Sequence, residues 1–493
     1  MGIPIADLSK DVTIRVNDQV PPKPRSTNYR MLDRKYVVDG LAPVSVDRND
    51  VATQVAGIQH RMGRSVPDPD EAVQIELSNF VADWLARYLC PLDRAPEFEE
   101  WINDAPYTLE RKAELRQCYN DLHGAPPNRK HRRKIASFIK SECYPLFKHA
   151  RWINSRSDHF KAYSGPWFHA IEKIVFKLPW FIKYVPVPDR AALISKLRRS
   201  GSKYLATDFS SFEAHFTPAV LHALELKLYS YMFSNFPEVS HVLCSTIAGT
   251  NHGRTRRGVS FSLRGRRMSG DMCTSLGNGF SNLMLWLFLA KKYQFDIEGY
   301  VEGDDGIFAV SDDAPAAEFL AQQMRKIGFS IKIEEGEDPC MMSFCGIIAA
   351  DGQNIRHPTD VLQSFGWTSS CMYARRKTMM ELLRAKAMSL RYELPHCPIL
   401  RAVADAAYTD TLGYNPRFVL DGYHAPPPSS EPPTFAPSHL TRLSFQAITG
   451  ISIDAQLWAE ERIAAGASCD VLVPLLSING DNLHFNALYT ETV

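Results

Sequence analysis

Two adjacent acids at the tip of an apolar hairpin constrain this chain more than any other feature. Tyr300-Val301-Glu302 and Ile307-Phe308-Ala309-Val310 flank Gly303-Asp304-Asp305-Gly306. β-Branched and aromatic runs on either side of a Gly/Asp turn read as a β-hairpin. Asp304 and Asp305 would then stand on a rigid tip. Turn chemistry alone explains such a stretch, because Asp and Gly favour turns for local backbone reasons. The surrounding sequence is what gives it weight.

Upstream, Tyr204 to Thr207 reads as a short strand ending at Asp208, with Glu213 five residues on. If both strands join one sheet, Asp208 and Asp304 converge. Taken alone, Asp208 is equally well explained as a helix cap after a strand. Hard divalent cations prefer carboxylate oxygens and keep positions for substrate phosphates. Two such ions lower the pKa of an attacking 3′-hydroxyl and stabilise departing pyrophosphate. Between the acids lie Ser269 and Gly270, suited to a loop whose backbone approaches a ligand closely. Thr274 and Asn278 follow four apart, on one side of the next helix. Hydroxyl and amide groups there suit a ribose 2′-hydroxyl. A capped helix with Asn278 and Asn282 merely solvated explains them as well.

The rest of the chain frames this centre. Residues 1–65 are polar and weakly periodic and read as an extended arm. Asp68, Pro69 and Glu71 resemble a helix start, followed by an apolar stripe of Val73, Leu77, Phe80, Val81, Trp84 and Leu85. Residues 316–327 read as a helix and 329–333 as a strand, giving an α+β fold with a helix-backed antiparallel sheet. Beyond residue 350 helices dominate. Thr378 and Glu381 form a capping-box pattern, 425–437 a Pro/Ser-rich linker, and 455–465 a final helix.

Charge is uninformative in sum, at +1, but not in placement. Arg129, Lys130, Arg132, Arg133 and Lys134 form one basic run, and Arg254, Arg256, Arg257, Arg264, Arg266 and Arg267 another. They suggest a polyanion track, against the plain alternative of two solvated loops. A hydrophobic content of 45% excludes a disordered or fibrous chain. The ten cysteines are scattered without a CxxC pair, as expected of reduced thiols. Neither Cys340 with Cys345 nor His396 with Cys397 has the usual zinc-ligand spacing. The best apolar run, Leu283 to Ala290, is too short to cross a bilayer. Asp7, Lys10 and Asp11 interrupt any signal peptide, and Ala6 argues against myristoylation of Gly2.

Taken together, the segments resemble the palm motifs of positive-strand RNA virus RNA-dependent RNA polymerases, tombusvirus-like and nodavirus-like, in the expected order. Thr207-Asp208-Phe209-Ser210-Ser211-Phe212-Glu213 is similar to motif A. Ser269-Gly270 with Thr274 and Asn278 is similar to motif B, and Gly303-Asp304-Asp305 to motif C. Ser343-Phe344-Cys345-Gly346 looks like motif E; Lys140-Ser141-Glu142, Lys148, Arg151-Trp152-Ile153 and Arg156 look like motif F. The resemblance implies a right hand: arm and fingers over 1–202, palm over 203–350 with a fingers insertion near 219–267, thumb and C-terminal segment over 351–493. It implies that Asp208 and Asp304 bind Mg²⁺ or Mn²⁺ with help from Asp305. Glu213 and Asn278 would check the sugar, and Ser269 and Gly270 would move with translocation. Lys140, Arg151 and Arg156 would neutralise the triphosphate. Relatives more often carry Asp at the position of Glu213, which puts sugar selection in question. Lys326 and Lys332 both fit a motif D general acid, with Lys332 preferred. Expected partners are template and nascent RNA, nucleoside triphosphates and other viral replication proteins. The expected setting is the host cytoplasm, at membrane-associated replication complexes reached through a partner.

Other classes fit less well. A reverse transcriptase usually has a bulky aromatic gate where Glu213 stands. A noncatalytic RNA-binding or capsid protein would explain the basic runs but not an acidic hairpin beside them. A P-loop nucleotidase fails because Val259 occupies the lysine position of Gly253–Ser260.

Overall fold

The computed structural model describes residues 8–17, 29–143, 148–199, 202–419 and 436–476. Helices and sheets are mixed, with the acidic hairpin in a four-stranded antiparallel sheet. Its order is Ile331–Gly336, Ser202–Phe209, Asp305–Ser311, Ile297–Glu302. Both faces of this sheet are covered. Leu205 and its cross-strand partner Phe308 pack into one core with helix Thr274–Tyr293, where Trp286 meets Phe308 at 5.1 Å between ring centroids. Tyr204, Ala206, Ile307 and Ala309 face a second core with Ile182, Leu197 and Phe344. Burial on both sides explains why residues 307–310 read as an unbroken apolar run rather than an alternating one.

A second sheet has five strands, in the order Thr13–Val16, Val259–Arg264, Thr250–Arg254, Lys134–Ile139, Trp152–Arg156. Its one parallel pair sets Lys134 opposite His252, so two segments more than a hundred residues apart run side by side. The residues after 350 form a largely helical core around helices Arg376–Glu393 and Leu400–Asp410, into which Leu32, Tyr36, Val38 and Leu41 of the N-terminal segment also pack.

Several expectations change. The described parts of the N-terminal arm are not simply extended. Thr13–Val16 is an edge strand of the five-stranded sheet, Arg30–Met31 pairs with Trp367–Thr368, and Val51–Gly57 is helical. Such short edge pairings leave no periodic trace in sequence. The cap of helix Glu71–Tyr88 is Asp70, two residues later than expected, and its carboxylate accepts from the amides of Ala72 and Val73. The expected stripe is buried: Leu77, Val81, Trp84 and Leu85 join the main core. Thr378 and Glu381 are not a capping box, since that helix begins at Arg376. Glu381 instead accepts from Arg417 at 3.0 Å, a partner 36 residues away that local pattern does not reveal. The strand expected over 329–333 begins at Ile331, because Gly328 ends the preceding helix at φ +105° and Phe329 turns into the core. Gly2 lies outside the described residues, as does the 425–437 linker except for its last two positions. Among the described residues no helix is long and apolar enough to cross a membrane.

Candidate active site

The hairpin turn is as tight as a turn can be. Glu302 pairs with Asp305, leaving Gly303-Asp304 as a two-residue loop. Gly303 has φ +60°, and a Cβ there would meet nothing within 4 Å, so glycine is required by backbone conformation and not by crowding. Helix Thr274–Tyr293 holds the turn from behind. The fully buried Asn282 donates from Nδ2 to the carbonyls of Gly303 (3.3 Å) and Asp305 (3.0 Å). Asn282 is therefore a brace and not a solvated residue.

Strand alternation brings the acids together. Asp208 lies on the sheet face of Tyr204 and Ala206, and Asp305 on the face of Ile307 and Ala309, which is the same face. One step beyond the last pair, Thr207 with Gly306, the two acids stand opposite each other. Electrostatics agree. Burial first, then Asp304 and Asp208, push the Asp305 carboxyl up to about 7. Burial also raises Asp304, with Glu213 and Asp208 adding to it and Arg151 opposing. On the neighbouring strand Lys332 pairs directly with Asp208 and is exposed, whereas Lys326 lies in the last turn of helix Ala317–Ile327.

The donor set suits a hard divalent cation, being three carboxylates whose mutual repulsion a cation would relieve. Among the described residues no three His, Cys, Asp or Glu side chains are close enough to hold a metal unaided. A cation held by these acids would take its remaining ligands from water or substrate oxygens. Cys340 and Cys397 sit in separate cores.

Arg151 is a cation whose charge acts on both Asp304 and Asp305. It sits just beyond the Trp152–Arg156 strand, and its carbonyl accepts from the amide of Lys140 at 2.9 Å. Glu142 links the two side chains, at 2.9 Å from Lys140 Nζ and 3.6 Å from Arg151 Nε. Lys148 is exposed. Arg156 is placed differently. Buried, it donates to Asp271 at 2.8 Å and to the carbonyl of Arg132 at 2.6 Å, so its charge is neutralised within the protein.

The 268–274 segment is tied down rather than open. Thr274 Oγ1 donates to the carbonyls of Met268 or Asp271 and accepts from the amide of Gly270. A Cβ on Gly270 would lie 2.7 Å from the carbonyl oxygen of Asn154, and the amide of Asn154 donates to the carbonyl of Ser269. The close approach expected of Gly270 is thus to the Trp152–Arg156 strand. Asn278 Oδ1 accepts from Arg267 Nε at 2.8 Å. Glu213 is gripped by Arg61, through Nε at 2.8 Å and Nη2 at 3.3 Å.

Sequence reasoning missed the roles of five residues besides Asn282. Arg61 comes from the supposed arm, on a turn of π-helix at Ile58–Met62. Arg267 and Glu225 are both buried and paired at 2.9 Å, with the guanidinium 4.1 Å over the Phe216 ring. Arg266 is buried as well and pairs with Asp11, so the second basic run does not form one exposed track. His215 is buried with its pKa lowered to about 4, chiefly by burial. Its neutral ring accepts at Nε2 from the Ser330 amide and donates from Nδ1 to the Ser211 carbonyl, fixing the bend after Asp208. The signals for these residues are long-range pairings, which a single sequence does not display.

Residues 131–385 match the family model described as viral RNA dependent RNA polymerase. A curated relative, the RNA-directed RNA polymerase of Oat chlorotic stunt virus (isolate United Kingdom), is 26% identical over 260 residues. That alignment covers 49% of this chain and 34% of the relative, so the chain spans about a third of the relative's length. The family match takes in more than half of the chain, including Asp208, the Asn282 brace and the acidic hairpin, and the chain belongs to the viral RNA-dependent RNA polymerase family.

Proposed function

We propose that the chain makes RNA on an RNA template, joining nucleotides from nucleoside triphosphates and releasing pyrophosphate. The observation that carries this reading is the gathering of Asp208, Asp304 and Asp305 at one end of a sheet, with Arg151 acting on the same acids. The four-stranded sheet is the palm, within 203–350. Residues 1–202 and the 219–267 insertion supply fingers, and 351–493 the thumb and C-terminal segment.

Asp208 and Asp304 would hold Mg²⁺ or Mn²⁺, with Asp305 assisting. When bound, such cations make the 3′-hydroxyl a better nucleophile and neutralise charge on the leaving pyrophosphate. Arg151 and Lys140 orient the triphosphate, exchanging Glu142 for phosphate oxygens; the guanidinium fork suits that contact. In our reading Arg156 instead fixes the 268–274 segment through Asp271. Ser269 and Gly270 line that segment and shift when the strand advances. Glu213 and Asn278 face the ribose, held in place by Arg61 and Arg267. Lys332, opposite Asp208, delivers a proton from Nζ to the oxygen that leaves with pyrophosphate. Work at host cytoplasmic membranes would depend on a partner protein.

The test uses the purified chain, single-stranded RNA templates of defined sequence, labelled nucleotides and Mg²⁺ or Mn²⁺. Incorporation should require the nucleotides complementary to each template and change when the template is changed. No incorporation with either metal, or incorporation indifferent to template sequence, would overturn the reading.

A further inference from the structure

Away from the acidic hairpin, a cleft of about 850 Å³ lies between the Arg129–Arg133 helical turn, helix Pro237–Ile247 and the end of strand Val259–Arg264. Arg129, Arg133, Arg264, His222 and His241 line it, with serine and threonine hydroxyls between them and no Asp or Glu. Glu238, in the first turn of the same helix, is exposed but lies outside the lining. The parallel pairing of Lys134 with His252 is what brings the two basic runs to one place.

These arginines differ from their sequence neighbours. Arg156, Arg266 and Arg267 each have an acid, in Asp271, Asp11 and Glu225. Among the described residues Arg129, Arg133 and Arg264 have no ion pair, and two of them are exposed. Burial, then Arg129 and Arg132, hold the Arg133 guanidinium below its usual pKa, as expected where like charges crowd without a counter-ion. Uncompensated cations set among hydroxyl donors make a phosphate site.

We propose that this cleft binds backbone phosphates of a single RNA strand, outside the catalytic centre. Its size falls within the range of ligand-binding clefts. The three guanidiniums come from two separate segments, Arg129 and Arg133 from one and Arg264 from the other, which suits successive phosphates along a strand. Phe233, the one Phe, Tyr or Trp in the lining, is fully buried, which leaves the smaller exposed imidazoles of His222 and His241 as the rings open to a base. The guanidiniums and hydroxyls therefore make the backbone the main feature recognised. The turn carrying Arg129 and Arg133 runs directly into strand Lys134–Ile139, and Arg264 directly into the 265–270 loop. A strand held there would pass beside the elements that carry Lys140 and Ser269. The choice of RNA rests on the polymerase reading; the affinity for phosphate does not.

The test compares wild type with a triple variant, Arg129→Ala, Arg133→Ala and Arg264→Ala, and with the corresponding triple lysine variant. Anisotropy of a labelled single-stranded oligoribonucleotide is followed across a salt series. Each phosphate contact on a single strand contributes roughly 0.7 to the slope of log affinity against log salt. The alanine variant should therefore bind more weakly at every sequence, with a slope shallower by about 2. The lysine variant should keep most of both, which excludes loss of fold as the cause. Wild-type affinity and slope in the alanine variant would overturn the proposal. Binding of inorganic tripolyphosphate to wild type but not to the alanine variant, with RNA affinity unchanged, would assign the cleft to free polyphosphate and overturn the RNA assignment. Template-directed extension by wild type, run in parallel, reports on the polymerase reading separately.

Discussion

Beneath the start of helix Thr274–Tyr293, Arg267 and Glu225 are both buried and neutralise each other, with Asn278 accepting from the guanidinium Nε. One turn further along, Asn282 braces a hairpin whose acids have the opposite surroundings: other carboxylates, and one arginine on a strand edge. The first centre is complete without a ligand. The second, on the proposed reading, is completed by one. Charge that the chain satisfies internally supports the site, and charge that it leaves unsatisfied marks where something else binds.

The largest effect separates the two centres most sharply. Asp304→Asn should lower template-directed incorporation about a thousandfold, as expected when several kcal/mol of charge stabilisation is lost. Its thermal unfolding without metal should stay at or above wild type, because a repelled carboxylate has been removed. An Asp304→Asn protein that incorporates nucleotides at the wild-type rate would break the comparison from the catalytic side. Arg267→Ala should do the reverse, costing about 3–5 kcal/mol in urea unfolding by leaving Glu225 buried and unpaired. Replacing both partners, Arg267→Met with Glu225→Met, should recover much of that loss. A stable Arg267→Ala single variant would show that the pair is not the internal support described above.

A smaller effect concerns pH. In the metal-free protein the Asp305 carboxyl lies at about 7, against 3.8 for the ordinary group. The folded state thus holds its proton more tightly than the unfolded one. That contribution to stability is full below the ordinary value and is lost as pH rises through about 7. Mg²⁺ favours the ionised form, so it should raise the melting temperature more at about pH 8 than at about pH 6. Asp305→Asn should shrink that difference. Equal Mg²⁺ shifts at both pH values would dissociate these acids from cation binding. The smallest effects belong to residues that adjust substrate. Arg151→Ala should raise the nucleotide KM by roughly tenfold, in line with one lost charge-assisted contact. Asn278→Ala and Glu213→Ala should each reduce ribo- over deoxyribonucleotide selectivity. An unchanged KM or an unchanged ratio would remove the corresponding role.

The same contrast explains what sequence could and could not disclose. The hairpin at 303–306 and the Thr274–Tyr293 helix were legible because their information is local: turn residues between apolar runs, and a long apolar stretch after a Ser-Gly loop. The pairing of Asp208 with the hairpin followed from the assumption that two strands share a sheet, and they do. Partner choice among charges was not legible. Arg156 finds Asp271 across 115 residues, and Arg267 finds Glu225 across 42. In sequence both arginines looked like the unpaired Arg129 and Arg264. Arg61, from a segment read as an arm, closes on Glu213 across 152 residues. Nothing periodic marks such a contact.

The claim that most needs direct measurement is that Asp208 and Asp304 share bound cations. Fe²⁺ can replace Mg²⁺, and with ascorbate and peroxide it generates hydroxyl radicals that cut the backbone beside the metal. Cleavage should occur together at 207–209 and 303–305, compete with added Mg²⁺, and disappear in Asp304→Asn. Cutting at only one of these segments, or at neither, would contradict a shared site.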